Sequence, residues 1–113
     1  MLDDFNTVPE YVNDAVSRLG GSLEYSEEFP RGCFLLRETE VCDNDLEELI
    51  CHPGPAGLDL SRTNVGTQGA FVISEMSDLE YLSLYRTRIT DRGLSPLRDL
   101  INLNWLELGT APG

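Results

Sequence analysis

The chain has 113 residues, 41% of them hydrophobic, with 20 Asp or Glu against 8 basic residues and a formal net charge of −12. That length suits one domain with a modest core. The charge argues against nucleic acid and anionic membranes as partners and favours a protein with a basic surface, although the same balance also serves solubility.

The acidity lies at the front, where residues 1–48 hold 13 Asp or Glu against 3 Arg. Met1-Leu2-Asp3-Asp4 opens the chain with no basic region and no apolar run long enough for a signal sequence or a membrane span. Cys33, Cys42 and Cys51 are too few for a secreted disulfide framework and odd in number. A cytoplasmic protein with free thiols is expected.

In chain order, Pro9 suits the first turn of a helix in which Val12, Ala15, Val16 and Leu19 fall at i, i+3, i+4 and i+7. Gly20-Gly21 ends it. Leu23 and Tyr25 alternate with Ser22, Glu24 and Ser26, which predicts a short strand. Glu27-Glu28-Phe29-Pro30 then turns the chain into a second strand from Cys33 to Leu36. Residues 1–32 are expected to form an N-terminal cap of acidic tail, helix and strand.

From residue 33 to 113 an apolar pattern returns every 24 residues, giving three full units and a partial fourth. Leu36, Leu60, Leu84 and Leu108 form one column, and Phe34, Leu58, Leu82 and Leu106 another. Three more are Thr39, Thr63 and Thr87; Val41, Val65 and Ile89; and Leu49, Ile73 and Leu97. Within a unit, Leu82 and Leu84 share one face of a strand and Tyr81, Ser83 and Tyr85 the other. After Thr87-Arg88-Ile89 the chain turns, and Asp91 is placed to cap a helix carrying Leu94, Leu97 and Leu100. Asp43 and Thr67 occupy the same capping column. One strand and one short helix cannot bury their apolar side alone, so neighbouring units must stack. The threonine column is expected to satisfy backbone groups of the turn.

The frame L-x-x-L-x-L, at Leu79, Leu82 and Leu84 and again at Leu103, Leu106 and Leu108, resembles leucine-rich repeats, whose units run from about 20 to 29 residues. Together with Arg18-Leu19-Gly20-Gly21 and Thr90-Asp91-Arg92-Gly93-Leu94, it makes nearly the whole chain look like the small bacterial leucine-rich repeat proteins. The resemblance implies an α/β fold, a short leucine-rich repeat solenoid with a parallel sheet on the concave side and short helices on the convex side. It also implies a role in protein–protein contacts. The unit 33–56 departs from the pattern, with His52 where Met76 and Leu100 stand and Asp45 where Gly69 and Gly93 stand. Gly66-Thr67-Gln68-Gly69-Ala70 softens the helix-start motif.

Catalytic chemistry is thin. Cys42, Cys51 and His52 offer zinc-ligand types, but C-x8-C-H lacks a close C-x2-C pair, and adjacent Cys and His on a helix point about 100° apart. Glu27-Glu28 and Glu47-Glu48 read as solvated faces. The loop from Gly54 to Gly57 lacks the Gly-Lys-Ser/Thr of a phosphate cradle. A non-enzymatic protein without metal or cofactor is expected.

Function therefore falls to the outward sheet face: Cys33, Leu35 and Arg37; Gly57, Asp59 and Ser61; Tyr81, Ser83 and Tyr85; Trp105, Glu107 and Gly109. Interface hot spots are enriched in Trp, Tyr and Arg. The expected protein-binding residues are Asp59, Arg62, Tyr81, Ser83, Tyr85, Arg86, Trp105 and Glu107. The last strand, Trp105-Leu106-Glu107-Leu108, leaves an apolar edge, so weak self-association through the C-terminal end is the alternative expectation.

Overall fold

The computed structural model of the chain describes residues 8–51 and 54–108. Helix α1 (Glu10–Arg18) is followed by β1 (Ser22–Glu24), β2 (Cys33–Leu35) and a 3-10 helix (Asp43–Leu49). Then come β3 (Gly57–Asp59), α2 (Thr67–Ile73), β4 (Tyr81–Ser83), α3 (Asp91–Leu97) and β5 (Trp105–Glu107). The fold is mixed α/β, with one five-stranded sheet whose strands lie in chain order. β1 is antiparallel to β2, and the other pairs are parallel.

The strand register follows the spacing of the apolar columns. Phe34 lies opposite Leu58, Leu58 opposite Leu82, and Leu82 opposite Leu106. The ladder runs on past the strands, with Leu36 N–H donating to Asp59 O, Leu60 to Ser83 O and Leu84 to Glu107 O at 2.8–2.9 Å. Phe34, Leu58 and Leu82 are fully buried and share one core with Leu46, Leu49, Ala70, Ile73 and Leu97 from the helices. Each such side chain contributes on the order of 2 kcal/mol of apolar burial. The 3-10 helix packs on α1 and α2, and α2 packs on α3.

Helix α1 buries Val12, Ala15 and Val16. Its end is a Schellman turn, in which Gly20 N–H bonds Ser17 O and Gly21 N–H bonds Val16 O, both at 3.0 Å, with Gly20 at φ +91°. In the threonine column the hydroxyls of Thr39, Thr63 and Thr87 donate to the carbonyls of Leu36, Leu60 and Leu84 at 2.7, 2.7 and 2.9 Å. Each bond closes the bend that follows a strand.

The helix starts differ from expectation. Asp91, Thr67 and Asp43 are the first residues of their helices, and the capping positions fall one earlier, on Thr90, Gly66 and Cys42, with extended backbone. At the first helical position the side chains of Asp43 and Thr67 turn sideways instead of capping their own helices. Asp43 Oδ1 accepts from Gly66 N–H at 2.6 Å, and the Thr67 and Thr90 hydroxyls lie 3.4 Å apart, so this column ties neighbouring units together. Asp45, in the place of a glycine, accepts from Cys42 N–H at 3.0 Å, and this segment forms a 3-10 rather than an α-helix.

Leu94 is a second correction. It is 36% exposed, whereas Leu46 and Ala70 of the same column are fully buried, because no further unit covers it among the described residues. Leu106 and Leu108 are exposed for the same reason, at 41% and 42%. His52 and Gly109 to Gly113 lie outside the described residues.

Candidate functional site

The sheet register sets the outward residues in two rows across β2 to β5. One row is Cys33, Gly57, Tyr81 and Trp105; the other is Leu35, Asp59, Ser83 and Glu107. The first row changes from small to large along the sheet, and this asymmetry shapes the surface. Gly57 has no side chain to hold Tyr81 upright: a Cβ there would lie 3.4 Å from Tyr81 Cδ2 and 2.7 Å from Cys33 Sγ. The Tyr81 ring meets Phe29, from the loop between β1 and β2, with centroids 5.6 Å apart and planes tilted by 50°.

That loop is pinned. Phe29 exchanges hydrogen bonds with Ser26, its N–H to Ser26 Oγ at 3.1 Å and its carbonyl from Ser26 N–H at 3.3 Å. Arg31 donates to Gly54 O at 3.3 Å and Asp78 O at 2.6 Å, and pairs with Glu80 at 3.4 Å. One guanidinium thus joins the loop to the two turns that precede β3 and β4.

The result is an open groove of about 560 Å³ on the outward face. Phe29, Tyr81 and Trp105 supply its aromatic walls, Cys33 and Leu35 part of its floor, and Glu28, Asp59 and Glu80 its charge. Asp59 is only 7% exposed, and its Oδ1 accepts from Ser61 N–H at 3.0 Å and Ser61 Oγ at 2.7 Å. Its negative charge is felt by its neighbours. Burial, and then the Asp59 carboxylate, push the Cys33 thiol up to about 12, and the same two causes raise the Tyr81 phenol above its ordinary value. A thiol so raised is a poor nucleophile. Ser83 donates to Glu107 Oε1 at 3.1 Å.

At the other end of the strands the charge reverses. The guanidinium carbons of Arg62 and Arg86 lie 5.8 and 5.4 Å from the centroid of the Tyr85 ring, and Arg86 Nε donates to Tyr85 Oη at 3.1 Å. That hydrogen bond, and then the Arg86 charge, lower the Tyr85 phenol below its ordinary value. Arg62 and Arg86 share a left-handed backbone, φ +59°, with Glu38 at +60°. The three are in one column, so the conformation belongs to the turn.

The predicted cluster is thus divided. Tyr81 and Trp105 stand at the acidic groove, whereas Tyr85, Arg62 and Arg86 form a basic patch beyond the C-terminal ends of β3 and β4. Asp59 and Ser83 are buried side by side between Leu35 and Glu107, and Glu107 is exposed. Glu28, Phe29 and Glu80 did not figure among the expected site residues. The available signal was an aromatic residue, Phe29, in a segment whose other residues read as a turn.

Cys33 and Cys51 are buried, and Cys42 is exposed with its thiol 3.4 Å from Asp45 Oδ2. Among the described residues no three His, Cys, Asp or Glu side chains are grouped to hold a metal ion, and no helix is long and apolar enough to cross a membrane. No family model matches the chain, and neither a curated protein nor a solved structure does.

Proposed function

We propose that this chain is a non-enzymatic, cytoplasmic leucine-rich repeat module, a short curved solenoid whose concave sheet face binds another protein. The observation that carries the reading is the groove walled by Phe29, Tyr81 and Trp105, an aromatic concavity of about 560 Å³ on the outward sheet face. Aromatic residues around a concave site are the usual anchors of protein interfaces. The repeat assignment draws support from the parallel pairing of β2 to β5 in the register of the sequence columns and from the threonine bonds repeated in each unit. The front-end acidity steers a basic partner toward the face.

A random peptide library selected against the protein tests this directly. Selected binders are expected to weaken by about tenfold or more against Tyr81→Ala or Trp105→Ala, the loss typical of a hot-spot anchor, and to ignore Glu47→Ala on the helix side. Binders indifferent to both aromatic substitutions would move the site off the sheet face.

A second reading, assembly through the last strand, is favoured by the exposure of Leu94, Ile101, Leu106 and Leu108 together. Under it, the chain sediments as a concentration-dependent dimer or larger species, and Leu106→Asp returns it to a monomer. Monomers at high concentration for both proteins would remove the assembly reading.

A further inference from the structure

We propose that the groove between Phe29, Tyr81 and Trp105 receives one cationic side chain, an arginine or a lysine, from an extended segment of the partner; this rests on the concave-face reading above. Aromatic faces attract a cation through their negative π surfaces, and the attraction grows as water is excluded. Here three rings border the same space, and the carboxylates of Glu28 and Asp59 border it too. Glu80 is already engaged by Arg31. Glu28 and Asp59 have no ion pair among the described residues.

Asp59 is the central element. Its buried carboxylate keeps one oxygen on Ser61, so its position is fixed before any ligand arrives. Burial is the larger cause of the raised Cys33 thiol and Tyr81 phenol, and the negative charge of Asp59 beside them adds to both. Burial alone would disfavour any charge, and it is the fixed carboxylate of Asp59 that favours a guanidinium or ammonium over an anion there.

The other end of the face sets the register of the segment. Arg37, Arg62 and Arg86 are exposed beyond the C-terminal ends of β2, β3 and β4 and repel a second cation. A partner with one basic side chain therefore enters at the groove end only. The cavity exceeds a single side chain, so it also accommodates backbone on either side of the cation.

The test is a titration of the full chain with N-acetyl-arginine methylamide, followed by NMR at the Trp105 indole and the Tyr81 ring. Its neutral isostere, N-acetyl-citrulline methylamide, serves as the control ligand. Asp59→Asn removes the charge while keeping the oxygen that accepts from Ser61. We expect saturable shifts at Trp105 and Tyr81 with the arginine probe, and binding about tenfold weaker for the citrulline probe and for Asp59→Asn. Equal binding of both probes overturns the inference. So do shifts confined to Tyr85, or no saturable shift at tens of millimolar. Selected peptides that depend on Tyr81 and Trp105 yet contain no Arg or Lys would sink this inference and leave the concave-face reading standing. Peptides indifferent to both aromatics would sink the two together.

Discussion

Leu58→Ala is expected to destabilise the protein by about 2–5 kcal/mol, and Leu106→Ala by about 1 kcal/mol, although the two leucines occupy the same column of the sequence pattern. Leu58 is fully buried between Phe34 and Leu82 on the neighbouring strands, so truncation removes packing on every side and leaves a cavity that close-packed neighbours only partly fill. Leu106 has Leu82 on one side and is 41% exposed, so water already occupies part of the space that truncation would open. Urea denaturation at two protein concentrations would check both values. Equal losses would mean that Leu106 is covered in solution, and a loss that grows with concentration would point to a second copy as the cover.

Gly21→Ala is expected to cost about 2–3 kcal/mol, whereas Gly20→Asn should cost under about 1. The two adjacent glycines do different work. Gly20 provides the left-handed turn at φ +91°, with nothing nearer than Thr39 Cγ2 at 3.5 Å from an added Cβ, and asparagine tolerates that conformation. Gly21 provides space: a Cβ there would lie 2.5 Å from Leu35 O and 2.5 Å from Leu36 Cδ2, where α1 meets the sheet. A backbone carbonyl in β2 cannot retreat without breaking the strand pairing around it. Thermal unfolding of the two variants distinguishes these roles; similar midpoints would mean that Gly21 packs less closely on Leu35 and Leu36.

The groove and the basic patch illustrate how one repeating face acquires two kinds of chemistry. Tyr81 lies in β4 and Tyr85 two residues past its end, yet burial and Asp59 raise one phenol while Arg86 lowers the other. The face therefore has a polarity along the strand direction, acidic and aromatic at the start of the strands and basic beyond their ends. Any partner that lies along the strands meets both, so its own charge order fixes its orientation. Salt would weaken this preference before it weakened the aromatic contacts, since exposed charges are screened within about 8–10 Å at physiological ionic strength.

The 24-residue spacing by itself determined which residues lie opposite one another. Phe34, Leu58, Leu82 and Leu106 pair across the sheet because residues at equal positions in successive units pack at equal heights. Helix α1 was legible from its apolar i, i+3, i+4, i+7 spacing and its Gly-Gly stop, and the threonine bonds from the regularity of their column. Tertiary structure alone decided what periodicity does not encode. The helix starts fell one residue early, on Asp43, Thr67 and Asp91, and the side chains of Asp43 and Thr67 reach into the next unit instead of capping. Leu94 and Leu106 lost their burial because a column says what a residue faces and not whether a neighbour is present to face it. Phe29 reached Tyr81, 52 positions away in the chain, from the loop between β1 and β2 that precedes the 24-residue pattern, so no column connects them. The groove depends on that contact and on the absence of a side chain at Gly57. Its chemistry was written in the sequence, but its shape was set by which side chains the fold left room for.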